Sequence, residues 1–321
     1  MSLRFEALTS ADIPQACELF ANVFGHTIQP AHWHWKYHQG PRLGSFNLIA
    51  RQLDGRIVGH VGASVFAGHT QGQTLAMAQV SDVMVESNAR SAYGQGQGIY
   101  PQLMQRLQQA MRLQFPMLYT YGFVGIRPYK LGERMGLYRS RQQCRTGHME
   151  EPVASSNLGN GWCRARPVGW SQAIDSGVFE KTSNQARRQL DRPMLERSSA
   201  YMRWRYQQHP VHQYQLWILR QWWQDTGWIV TRRLPNGQHM LIDQWPVPAG
   251  SSADACTLSH MAAVWRQLSH QDGQPTVLSS WSLDTPQARQ TEPVIGIEIR
   301  THEWQDHILS PIFTPGDTDV Y

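Results

Sequence analysis

Cysteine is scarce in this 321-residue sequence: Cys17, Cys144, Cys163 and Cys256 stand far apart, with no CxxC pair. That spacing excludes a disulfide scaffold and points to no structural zinc site. Nowhere do about 18 apolar residues run together, the length a membrane-crossing helix needs, so no membrane span is expected. The opening segment, MSLRFEALTSADIP, lacks the basic-then-apolar order of an export signal, and a reducing, cytoplasmic setting is the default expectation. Blocks of like charge are missing as well. The net charge of +5 is scattered along the chain, so no nucleic-acid partner is expected, while an anionic small ligand is compatible.

What is present is the composition of a globular protein, 41% hydrophobic and 17% charged, over a length that suits two domains of about 150 residues. Residues 3–7 read as a strand. A helix follows, capped by Thr9, Ser10 or Asp12, with Ile13, Ala16, Cys17 and Phe20 at helical spacing. A second short helix carries His32, Trp33, Trp35 and Tyr37. Three alternating runs then predict an antiparallel meander over residues 46–52, 57–66 and 74–85. After the meander a glycine-rich stretch opens a helix whose apolar face is Tyr100, Leu103, Met104, Leu107, Ala110 and Met111. A strand (117–124), a helix (128–135) and another strand from Leu137 complete the first half.

Residues 151–163, EPVASSNLGNGWC, read as a linker, dividing the chain into 1–150 and 164–321. The second half repeats the first. Arg203-Trp204-Arg205-Tyr206-Gln207-Gln208-His209-Pro210 matches His34-Trp35-Lys36-Tyr37-His38-Gln39-Gly40-Pro41 in register, and each precedes a meander. Where the first half has Gly94, Gly96 and Gly98, however, the second has Pro248-Ala249-Gly250-Ser251-Ser252.

A strand leading through a glycine-rich turn into a helix is a physical solution for a pyrophosphate. Glycines let the backbone approach, amides point at the oxygens, and the helix dipole favours the charge. A dinucleotide-binding loop would begin a βαβ unit, whereas here three meander strands come first.

With Val80-Ser81-Asp82-Val83-Met84-Val85-Glu86, Asn88-Ala89-Arg90 and Tyr93-Gly94-Gln95-Gly96-Gln97-Gly98, the chain resembles the GNAT acyltransferase superfamily over most of residues 1–145, including Trp35-Lys36-Tyr37 and Gly122-Phe123. The resemblance implies an α+β fold of two tandem GNAT-like domains, each a mixed, mainly antiparallel sheet flanked by helices. The first, 1–150, would bind an acyl-CoA and the second, 164–321, would be degenerate. It implies acetyl-CoA or another acyl-CoA as cosubstrate, no metal, and a small-molecule amine as acceptor. The coenzyme would be held by Val83, Met84, Val85, Arg90, Tyr93, Gly94, Gln95, Gly96, Gln97, Gly98 and Ile99, with the amides of Met84 and Val85 extending the pantetheine arm as an added strand. Tyr93 stands where the family has Arg or Gln, and Arg90 is the substitute cation.

Catalysis by such an enzyme needs a neutral amine to attack the thioester and a group to protonate the departing thiolate. Asp82 and Glu86 are the candidate bases, with surface or structural hydrogen-bonding roles as the alternative. Strand alternation would put Asp82, Met84 and Glu86 on one face and Ser81, Val83 and Val85 on the other. Relatives often carry a tyrosine as the acid four residues before the Gly-Phe that closes the last helix. Gly132 stands there, and Tyr129 is the substitute, ahead of Tyr121.

Other features carry less. His34 and His38 fall at i, i+4 beside His32 with no evident third ligand. Eleven of thirteen tryptophans fall after residue 160 and read as core and interface fillers, with stacking on a sugar or aromatic acceptor as the alternative. Asp317-Thr318-Asp319-Val320-Tyr321 reads as a tail or edge segment, or as an acidic tether for a cationic substrate. Two other functional classes fit: a non-catalytic acyl-CoA-binding or regulatory module, and a transferase using aminoacyl-tRNA as donor, against which the retained glycine loop argues.

Overall fold

The computed structural model describes residues 3–92, 98–149, 163–221, 223–247, 255–281, 294–299 and 308–318. The first half runs β1 (Leu3–Ala7), α1 (Ile13–Phe24), α2 (Pro30–His38), β2 (Gly44–Gln52), β3 (Ile57–Thr70), β4 (Gln73–Val85), α3 (Ser87–Ala92), α4 (Ile99–Gln114), β5 (Leu118–Val124), α5 (Ile126–Arg134), β6 (Tyr138–Cys144) and β7 (Gly147–Met149). The second runs β8 (Cys163–Val168), α6 (Trp170–Asp175), α7 (Val178–Gln189), β9 (Met194–Leu195), α8 (Ser199–Met202), β10 (Gln215–Gln221), β11 (Gln224–Arg233), β12 (His239–Trp245), α9 (Ala255–Asp272), β13 (Leu278–Ser280) and β14 (Val294–Ile299). No helix among the described residues is long and apolar enough to cross a membrane.

Local chemistry accounts for these elements. Thr9 and Asp12 form a capping box ahead of α1, whose buried stripe of Ile13, Ala16, Leu19 and Phe20 has helical spacing. The helix ends at Gly25, left-handed at φ +77°. In α4 the buried stripe is Leu103, Met104, Leu107 and Met111. It packs with Ala50, Val61 and Val80 on one face of the first sheet, and α5 lies on the same face. On the other face α1 and α2 bury Trp33 and Tyr37 against Ile49, Ile57 and Met84. Covered on both faces, β3 is buried along nearly its whole length.

The meander β2-β3-β4 is antiparallel as the alternation predicts, and β5 then joins β4 in parallel. The short elements α3, between β4 and the glycine loop, β7, α6, β9 and α8 escape the sequence reading, as does the strand β14. So does an exchange of strands between the two sheets. The first is ordered β1-β2-β3-β4-β5-β14-β6, so β14, from the far end of the chain, is hydrogen-bonded between β5 and β6. The second is ordered β7-β13-β12-β11-β10-β8, with β7 supplied by the first half. Residues 151–162 of the expected linker lie outside the described residues. The halves also share a core, in which Trp35, Phe66, Met77 and Tyr121 pack with Phe179, Trp204, Tyr206, Trp228 and Trp245. That matches the filler role expected of the tryptophans, although Trp223 is 90% exposed.

Candidate functional site

The β3–β4 ladder shifts register between His60 and Gly62, so that Val61 faces two residues of β4, Asp82 and Val83. This bulge puts Asp82 at φ +50°, a left-handed conformation that Asp tolerates better than most residues. It also interrupts the alternation expected for β4, because Ser81 and Asp82 both reach Tyr37. The Tyr37 hydroxyl donates to Asp82 Oδ2 at 2.6 Å and lies 3.2 Å from Ser81 Oγ, while Lys36 Nζ donates to Asp82 Oδ1 at 2.8 Å. Gly62 makes room: a Cβ there would lie 2.3 Å from the Tyr37 hydroxyl. His60 donates from Nδ1 to the Asp82 carbonyl at 2.8 Å, and burial pushes its pKa down to about 4, so the ring is neutral.

The second half repeats this arrangement. The Tyr206 hydroxyl donates to Asp243 Oδ2 at 2.7 Å, and Asp243 also sits on its fourth strand beside a register shift, between Val230 and Thr231 of the facing β11. Trp35 and Trp204 stack at 4.8 Å, and each indole N–H donates to the other's backbone carbonyl at 3.0 Å. The repeated Trp-cation-Tyr motif is therefore one of the contacts between the halves. The cations diverge: Lys36 binds Asp82, whereas Arg205 donates to the carbonyls of Gly316 and Thr318. In the second half Arg197 takes the place of Lys36 as the ion-pair partner, binding Asp243 at 2.6 Å and Asp317 at 2.7 Å. Asp317, expected in a tail or edge segment, is buried in this network; residues 319–321 lie outside the described residues.

Above the bulge the sheet opens. The last β4–β5 pair is Gln79 with Tyr121. Beyond it β4 continues to Val85 with no strand on that side among the described residues, because β5 turns to β14, from Glu298 opposite Tyr121 to Ile295 opposite Val124. Val83 and Val85 pack toward α4 and Met84 toward α1 and α2, which leaves the backbone edge as what this stretch presents to the opening. The α4 N-terminus carries no side-chain cap, and its orphan amides start at Ile99, anchored by a side chain that packs where a Cβ on Gly59 would sit, 2.7 Å away. Arg90 is exposed on α3 and donates from Nε to the Val85 carbonyl at 2.9 Å. Tyr93, Gly94, Gln95, Gly96 and Gln97 lie outside the described residues, while Gly98 is the extended residue preceding α4.

The other candidates are held apart. Glu86 accepts from Arg56 at 2.9 Å through Oε1, and its Oε2 is buried with no hydrogen-bond partner among the described residues. It shares no partner with Asp82. Tyr129 lies on the α4 side of the sheet and donates its hydroxyl to Glu133 one turn along α5; that carboxylate pushes the phenol pKa up. Gly132 has a local reason: a Cβ there would lie 2.1 Å from the Tyr138 ring, which occupies the space of any side chain at that position. Sequence reading passed over the cluster of Lys36, Tyr37 and His60, although the duplicated Trp-cation-Tyr motif was its visible signal.

Residues 4–129 match the family model described as an acetyltransferase (GNAT) domain. The fold resembles a probable N-acyltransferase from Enterococcus faecalis V583 at TM-score 0.65 and 12% identity, covering 94% of this chain and 72% of that one. It also resembles a GCN5-related N-acetyltransferase from Kribbella flavida (0.61, 14%, covering 93% and 71%) and Saccharomyces cerevisiae N-myristoyltransferase with bound myristoyl-CoA (0.59, 10%, covering 94% and 83%). At such identities the likeness is one of fold. No curated protein matches the sequence. Residues 4–129 therefore match a GNAT acetyltransferase domain, and the chain as a whole shares the fold of these N-acyltransferase structures.

Proposed function

We propose that the chain transfers an acyl group, most simply acetyl, from CoA to an amine, with the coenzyme in the first half and the second half shaping the acceptor side. The observation that carries this is the opened edge of β4 from Val80 to Val85, which leads by way of α3 to a helix N-terminus without a side-chain cap. An unpaired strand edge can hydrogen-bond the two amides of a pantetheine arm, and a helix N-terminus preceded by glycines suits a pyrophosphate. Val83, Met84, Val85, Arg90 and residues 93–99 are the proposed coenzyme contacts. The myristoyl-CoA bound to the yeast neighbour supports a CoA thioester as donor, and the cytoplasm is the setting this donor implies.

In the proposed step the amine nitrogen attacks the thioester carbon, the C–S bond breaks as the tetrahedral intermediate collapses, and the amine's proton leaves. Both Asp82 oxygens already hold partners, so we assign proton removal to Glu86, whose Oε2 has none. Glu86→Gln should lower kcat without changing CoA affinity. Tyr129 remains the proposed thiolate acid only if its hydroxyl leaves Glu133; an unchanged kcat in Tyr129→Phe removes it from that role.

Calorimetry with acetyl-CoA tests the reading. No heat up to millimolar coenzyme refutes it, and so does unchanged affinity in Gly96→Glu, which adds bulk and like charge to the loop. If acetyl-CoA binds while a broad amine panel releases no thiol, the chain is a coenzyme-binding module instead.

A further inference from the structure

From α3 to β7, residues 87–149 hold nine lysines and arginines against one acid, Glu133. Helix α5 gathers three of these cations. Arg127, Lys130 and Arg134 stand at i, i+3 and i+7, a single stripe along the helix, and Leu131 and Met135 form the adjoining stripe at i+4 and i+8. All five are exposed, Leu131 by 52% and Met135 by 40%. The opposite side of α5 carries Ile126, Tyr129 and Gly132, which pack toward β6 and the α4 side of the first sheet. The outer face therefore points away from the sheet and, with Tyr129 turned inward, away from the proposed coenzyme site.

For the helix alone this is a poor arrangement. Like charges three and four residues apart repel, and Arg127 in the first turn opposes the macrodipole with no acid there to offset it. None of the three cations has an ion-pair partner among the described residues: Arg134 Nε reaches the Lys130 carbonyl of its own helix at 3.3 Å, and Glu133 accepts from the Tyr129 hydroxyl. Two apolar side chains left in water beside them add to the cost.

Solubility would be served by the cations alone, and so would a nucleic acid. A bilayer surface rewards both stripes, because anionic headgroups meet the cations while apolar side chains enter the boundary beneath them. Charge complementarity and the adjoining apolar stripe together favour a lipid surface over a soluble polyanion.

We propose that the outer face of α5 docks the chain onto a membrane surface rich in anionic lipids, as a peripheral contact independent of the acyl-transfer reading.

The test is co-sedimentation of the full chain with vesicles of phosphatidylcholine alone and of phosphatidylcholine with phosphatidylglycerol, at low salt. The chain should sediment only with the anionic vesicles, and less so as salt is raised. Arg127→Gln/Lys130→Gln/Arg134→Gln should bind about a hundredfold more weakly, since each cation near an anionic surface is worth roughly a factor of five. Leu131→Ser/Met135→Ser keeps every charge and should bind about tenfold more weakly through lost insertion. Both variants change exposed positions, so their thermal unfolding should stay close to that of wild type. No sedimentation with anionic vesicles at low salt, or equal binding by the triple variant, overturns the proposal. So does a double variant that binds vesicles as wild type does, or tighter charge-dependent binding of an RNA oligonucleotide that the double variant retains; either makes the face a general polyanion contact.

Discussion

Replacing Asp82 by asparagine removes a charge while keeping the side chain's shape, and so separates an anchoring role from a catalytic one. Asparagine tolerates the left-handed backbone at this bulge and still offers an oxygen to the Tyr37 hydroxyl. What it cannot do is neutralise Lys36, whose side chain is 8% exposed against 9% for Asp82. Breaking a buried ion pair by removing one partner costs about 3–5 kcal/mol. For a chain of this length that corresponds to a fall in melting temperature of about 5–8 °C, taking an unfolding entropy near 2 cal/mol/K per residue. Thermal and urea unfolding followed by tryptophan fluorescence measure it. Lys36→Met alone should also destabilise. The double variant should recover part of the loss, with a coupling above about 1 kcal/mol. If Asp82→Asn unfolds within about 0.5 kcal/mol of wild type, the anchoring argument is wrong. If it is equally stable but loses turnover, Asp82 is catalytic after all. The buried Tyr206–Asp243 pair, in the half without a glycine loop, points to anchoring.

Acidification should destabilise the protein. Burial lowers the pKa of His60 and His69 to about 4, whereas the unfolded chain takes up those protons near pH 6.5; stability present above pH 6.5 is therefore lost between 6.5 and 4, by up to about 3 kcal/mol per ring. Urea titrations at neutral and acidic pH measure this, and a slope that His69→Asn leaves unchanged refutes the assignment of His69. Placing a tyrosine at this position with Gly132→Tyr should lower stability by about 1–3 kcal/mol through collision with the Tyr138 ring, and a melting temperature at or above wild type contradicts the packing. Trp35→Phe removes the indole bond to the Trp204 carbonyl, at about 1–3 kcal/mol, whereas in Trp204→Phe the Trp35 carbonyl keeps the Arg42 guanidinium at 3.2 Å and the loss should be smaller. An unchanged midpoint of urea unfolding in Trp35→Phe sinks the contact.

The sequence by itself determined the meander, the amphipathic helices α1 and α4, and the duplication, because each rests on periodicity or on a motif repeated in register. Alternation over residues 46–85 predicts strands that the ladder pairs as expected, and spacing along 99–111 predicts the face that α4 buries. Period-two patterning cannot register a bulge, since one extra residue leaves the composition of β4 unchanged. The positions of Ser81 and Asp82 were therefore decided by the partner strand and by Tyr37. Nor can local pattern reveal pairing between segments some 150 residues apart. That β14 lies between β5 and β6, and that β7 completes the other sheet, depends on which edge is open when both halves have formed. The separate surroundings of Asp82, Glu86 and Tyr129 have the same origin: residue type nominates a carboxylate or a phenol, and only tertiary contacts decide which oxygen already holds a partner.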